Sequence, residues 1–114
     1  MNATSATVGS DVDEFALSGL APAPSRLVKP ARVLESPVNF ECRLSQLIQL
    51  QTAAGDGVET WLVLGEVVAI HIDRALLVDG VYDTAAARPI LRAGRMGDYA
   101  EIRPDAMFEM QRPR

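Results

Sequence analysis

Val38-Asn39-Phe40-Glu41-Cys42-Arg43-Leu44-Ser45-Gln46-Leu47-Ile48-Gln49-Leu50 and, a short polar stretch later, Thr60-Trp61-Leu62-Val63-Leu64-Gly65-Glu66-Val67-Val68-Ala69-Ile70-His71-Ile72 decide the fold of this chain. In the first stretch Val38, Phe40, Cys42, Leu44, Ile48 and Leu50 alternate with Asn39, Glu41, Arg43, Ser45 and Gln49. A period of two is that of an extended strand, with one set of side chains on the core and the other toward water or a second layer. Leu47 breaks the alternation, as a bulge or an interface contact would. The second stretch is apolar on nearly both faces, which suits a strand covered on both sides. Gly55-Asp56-Gly57 lies between them and is a turn-forming cluster. The two strands therefore read as an antiparallel hairpin.

Upstream, Ser10 is a candidate helix cap with Asp13 three places on, and Gly19 sits where a left-handed residue would end the helix. A short helix over Val12–Ser18 is expected. Ala21 to Pro30 carries Pro22, Pro24 and Pro30 and reads as an irregular or polyproline-like surface segment. It leads into a short strand over Arg32–Glu35. Downstream, Asp79-Gly80 marks a turn, and Asp83 or Thr84 caps a helical turn through Ala85–Arg88 that Pro89 limits. Ile90–Leu91 and Asp98–Arg103 give short strands on either side of Gly94 and Gly97. The sum is a mainly β domain with one or two short helices, most simply part of a small antiparallel barrel. Two long strands and a few short ones leave edges that need cover.

Composition narrows the function. The 114 residues carry 11 Lys and Arg against 15 Asp and Glu, a formal charge of −4. That balance, without a basic stripe, disfavours nucleic acid as a partner. The single cysteine, Cys42, excludes an intramolecular disulfide and a Cys-based zinc site, and no metal site is expected. On the apolar face of its strand, Cys42 reads as a small hydrophobe. No signal peptide is visible in Met1–Ser10, and the run Trp61–Ile72 is interrupted by Glu66 and His71 and too short to span a bilayer. A cytoplasmic protein without membrane contact is the expectation. Serine, histidine and aspartate occur without nucleophile-elbow spacing, and no phosphate-loop or dinucleotide glycine fingerprint appears.

Three stretches, in order, resemble the flavin reductase-like proteins of the FMN-binding split-barrel family. They are Ser25-Arg26-Leu27-Val28 through Glu35-Ser36-Pro37-Val38-Asn39-Phe40-Glu41-Cys42; Leu64-Gly65-Glu66-Val67-Val68 with Ile70-His71-Ile72-Asp73; and Arg88-Pro89-Ile90-Leu91-Arg92-Ala93-Gly94 with Arg95 and Asp98-Tyr99-Ala100. The resemblance implies a split β-barrel that binds FMN noncovalently, a homodimer with flavin near the subunit interface, and hydride transfer from NAD(P)H to flavin. It implies that residues 1–103 are the C-terminal portion of such a domain and 104–114 a tail. The flavin-holding upstream part would then lie outside this chain, leaving it weak or inactive alone. Two alternatives come from other classes: a non-catalytic split-barrel remnant acting as a dimerisation or interaction module, and an unrelated small β-barrel binding module.

Several residues are candidates for a site, each with an ordinary reading beside it. His71, the only histidine, can position a nicotinamide or flavin edge or shuttle a proton; otherwise it is a strand-end histidine satisfied by a neighbouring loop. Glu66 interrupts an apolar strand and is expected to pair with Arg43 if buried. Gly94, Arg95, Gly97 and Tyr99 combine close backbone approach, a phosphate fork and a stacking ring, or make a plain turn. Asn2, Thr4 and Ser5 are placed by the resemblance near a flavin phosphate or ribityl chain, or belong to a frayed terminus.

Overall fold

The computed structural model describes residues 3–113. The chain falls into two compact units, Met1–His71 and Ile72–Arg114. Within the first, a single-turn 3-10 helix (Ala3–Ser5) precedes helix α1 (Glu14–Ser18). This helix is shorter than Val12–Ser18, and its cap is Asp13 rather than Ser10. The Asp13 side chain accepts from the Phe15 amide, and the backbone at Asp13 is extended, so the helix cannot begin earlier. Gly19 ends it in the left-handed conformation, at φ 70°.

The proline-rich segment is not wholly irregular. Strand β1 (Pro22–Ala23) pairs antiparallel with β2 (Arg32–Val33). Between them the loop folds back, with the Ser25 hydroxyl donating to the Pro30 carbonyl at 2.6 Å. Both Glu35 carboxylate oxygens accept from the Ala21 amide, at 2.9 and 3.1 Å, closing the base of this flap.

Strands β3 (Val38–Gln51) and β4 (Gly57–Ile72) form the long hairpin that the sequence announces. Gln49 meets Val58 near the turn and Glu41 meets His71 at the far end, which makes the strands antiparallel. Leu47 lies within an unbroken strand. A Cβ at Gly65 would sit 3.1 Å from that of Cys42, so glycine permits close approach of the two strands. At the turn, Gly55 has φ +93° with open space around it, whereas Gly57 has ordinary backbone geometry. Gly55→Ala should therefore cost about 1–2 kcal/mol from backbone strain alone. Gly57→Ala should stay within about 0.5 kcal/mol of the parent. Urea midpoints of the two variants check the difference.

The expectation that β4 is covered on both faces does not hold for this chain. Among the described residues only Ala23 and Glu41 are buried, while Phe40, Leu44, Trp61 and Val63 are all more than half exposed. Two strands alone cannot cover either face of their own ladder. Cys42 is exposed as well, and its neighbour Glu41 is hidden. Here the sides expected from the alternation do not hold, since Glu41 is buried between exposed Phe40 and Cys42.

The second unit holds two small hairpins, β5 (Leu77–Val78) with β6 (Val81–Tyr82), and β7 (Ile90–Arg92) with β8 (Tyr99–Glu101). Asp79 and Gly80 form the first turn with positive φ at both, the pattern of a tight hairpin. Residues 84–87 make turns rather than a helix, capped by Asp83, whose side chain accepts from the Ala86 amide at 3.0 Å. Arg88 follows with φ 47°, which stops helical propagation before Pro89. Its guanidinium grips both oxygens of Glu101, at 2.9 and 3.0 Å, although an exposed pair of this kind adds little stability.

Candidate functional site

Glu41, 2 % exposed on β3, is bonded to three groups of the first unit. Pro24 and Pro30 bound a loop that has few internal backbone hydrogen bonds, so its amides need outside acceptors. Glu41 supplies them: Oε1 accepts from the Arg26 amide at 2.8 Å and Oε2 from the Leu27 amide at 2.6 Å. Oε1 also lies 2.6 Å from Nε2 of His71 at the end of β4. The hairpin thus brings one carboxylate and one imidazole together from opposite strands, and the loop closes over them.

These donors set the electrostatics. The Arg26 amide, then the His71 hydrogen bond and the Leu27 amide hold the Glu41 carboxyl down to about 2 from an ordinary 4.5, against the opposing effect of burial. At neutral pH the group is a carboxylate whose donors replace its lost water. Beside it opens a cleft of about 290 Å³ lined by Arg26, Leu27, Ala69, Ile70 and His71. The Arg26 guanidinium makes no ion pair among the described residues, so a fork donor, an imidazole and apolar walls meet at one place. At this volume the cleft lies at the small end for ligand sites and suits one end of a cofactor-sized molecule.

The other candidates from the sequence belong to other elements. Gly94, Arg95 and Tyr99 share the β7–β8 hairpin. The residue that organises this hairpin is Arg92, which the sequence reading passed over. Its guanidinium donates to the carbonyls of Gly94 at 3.0 Å, Asp98 at 3.1 Å and Arg95, and lies 5.1 Å from the centre of the Tyr99 ring. A cation over the ring and three carbonyls lock the loop to itself. Arg95 has φ 32° and reaches Asp98 only at 3.8 Å with its side chain largely in water. Arg92→Ala should speed hydrogen exchange of the amides from Ala93 to Asp98 by about tenfold or more, since exposed loop bonds open locally; unchanged protection there would show the clamp to be idle.

Thr4 lies in the opening 3-10 turn and lines a separate hollow of about 280 Å³ with Glu14, Phe15, Ser18, Leu20 and Val33. Ser5 ends the same turn. Asn2 lies outside the described residues. Glu66 is exposed and forms no ion pair with Arg43 among the described residues. Without burial there is no desolvation for Arg43 to offset. His71 is satisfied by a carboxylate on the partner strand rather than by a loop. Glu41 was missed because alternation sent it to the solvent side; the signal that could have found it is the proline-bounded loop lacking acceptors of its own.

The sequence matches the family described as flavin reductase like domain over residues 1–90. Nitrilotriacetate monooxygenase component B from Bacillus cereus superposes with a TM-score of 0.83 at 27 % identity, covering 96 % of this chain and 52 % of that one. A Shewanella frigidimarina protein with a split barrel domain gives 0.71 at 24 % identity over 96 % and 52 %. Flavoredoxin of Desulfovibrio vulgaris gives 0.68 at 25 % identity over 92 % and 51 %. An uncharacterized protein of Halalkalibacterium halodurans is 29 % identical over 115 residues, covering 99 % of this chain and 52 % of that protein. This chain spans about half the length of these relatives. Its mainly β hairpins are those of a split barrel.

Proposed function

Because the chain belongs to the flavin reductase-like domain family, we propose that it serves flavin-linked redox chemistry, as an FMN-binding oxidoreductase component acting with NAD(P)H. The observation that carries this reading is the family match across residues 1–90, reinforced by the likeness to flavoredoxin. Bound flavin would accept hydride and pass electrons on, chemistry the protein only binds, orients and shields.

The residues present fit one end of such a ligand. Arg26 can fork an anionic phosphate, Leu27, Ala69 and Ile70 can exclude water, and His71 can orient a ring edge or hold a proton there. Asn2, Thr4 and Ser5 are proposed as phosphate or ribityl contacts. Gly94, Arg95 and Tyr99 are proposed to approach flavin or nicotinamide through backbone and ring. His71→Ala should lower FMN-dependent NAD(P)H oxidation by about tenfold or more, the scale of a lost proton-handling group. An unchanged rate would remove His71 from the proposed site.

No helix among the described residues is long and apolar enough to cross a membrane; a cytoplasmic homodimer completes the proposal. A second reading has its own support: the hairpin's large apolar side chains lie exposed on both strands, as they would in a non-catalytic module built to associate.

A further inference from the structure

His71 is the only histidine in the sequence, and Glu41 is the only buried charged residue among those described. A carboxylate only accepts hydrogen bonds, so the 2.6 Å contact requires Nε2 of His71 to carry the hydrogen. In the neutral ring Nδ1 is then bare. No described group bonds Nδ1, and no buried side-chain nitrogen lacks a partner. Nδ1 therefore reaches solvent, on a residue that lines the cleft with Arg26, Leu27, Ala69 and Ile70. Arg26 is the one other ionisable side chain lining that cleft.

We infer that Glu41 is a positioning residue acting through His71: it fixes the imidazole in its Nε2–H form and pins the Arg26–Leu27 peptides beside it, so that Nδ1 meets a flavin or nicotinamide edge as an acceptor. This rests on the flavin reading above. The arrangement tolerates no isostere. A glutamine has one acceptor oxygen in place of two, while the Arg26 and Leu27 amides need both. Whichever way the amide is turned, one backbone N–H faces an NH₂ group, and in one orientation the glutamine donates to Nε2 and reverses the tautomer.

A sole histidine makes the test direct. In the full chain labelled with ¹⁵N-histidine, proton–nitrogen spectra should show a downfield, slowly exchanging Nε2–H and an acceptor-type Nδ1. Glu41→Gln should abolish the slow Nε2–H signal. Addition of FMN or NADH should shift Nδ1 while leaving Nε2 in place. Flavin affinity, read separately from flavin absorbance, should weaken by about tenfold in Glu41→Gln and in His71→Ala, the scale of a lost orienting partner, and the double variant should lose less than the product of the two.

Absence of the slow Nε2–H signal in the unsubstituted chain would overturn the inference whatever flavin does. So would flavin binding that leaves Nδ1 unmoved, or a Glu41→Gln penalty that is undiminished in the His71→Ala background; in both cases the flavin reading would stand. A chain showing the ring signature but no flavin or nicotinamide binding would instead sink the flavin reading and, with it, the ligand-facing role.

Discussion

Glu41→Ala should lower the thermal midpoint by about 10 °C or more, the largest effect expected of any single substitution in this chain. The side chain is 2 % exposed and serves three donors, the amides of Arg26 and Leu27 and Nε2 of His71. Truncation leaves all three part-buried donors without their acceptor, and an unmet donor is more costly than the bond it replaces. The same group makes stability depend on acid. Its carboxyl titrates near 2 when folded and near 4.5 when free, so the folded state binds fewer protons than the unfolded one between those values. The stability it contributes is complete above about pH 4.5 and is lost as pH falls toward 2. Urea midpoints measured from pH 6 down to pH 2 should fall steeply over that window for the parent. Glu41→Gln should show a flatter profile from a lower starting value. Parallel profiles would mean the three hydrogen bonds are not formed in solution.

The second large effect concerns association. Leu44 is 66 % exposed and Val63 62 %, with Phe40 and Trp61 close behind on the same two strands. A face of this kind exceeds what monomeric proteins ordinarily leave in water, and long strand edges invite pairing. The chain should run as a dimer or larger species in light scattering at micromolar concentration. Leu44→Glu combined with Val63→Glu should shift it to monomer, because a carboxylate cannot be buried there without a partner. A monodisperse parent monomer that melts cooperatively at high temperature would contradict the proposed association and the second functional reading together.

Much of the fold was legible because its strongest signals are local. The alternation from Val38 to Leu50, the apolar run to Ile72 and the Gly55–Gly57 turn gave the hairpin to within a few residues. Gly19 and Asp79–Gly80 marked turns through backbone conformations that few residues adopt. What alternation could not give was which side is inside. Phe40 and Cys42 were placed on the core and Glu41 toward water, yet Glu41 is buried and the other two are exposed. The deciding interactions are non-local: amides fourteen and fifteen residues upstream and an imidazole thirty residues downstream. Of the site, His71 was found by its singularity and chemistry. Arg92 was overlooked because its role depends on carbonyls that converge only once the β7–β8 loop is closed.

The central claim is that this split-barrel chain handles flavin, and titration of the purified chain with FMN tests it most directly. The account predicts saturable quenching of flavin fluorescence with a shifted absorption band, half-complete at FMN concentrations of about 100 µM or below. It also predicts weaker binding when Arg26 or His71 is replaced by alanine. A flavin spectrum unchanged up to about 1 mM FMN would contradict it.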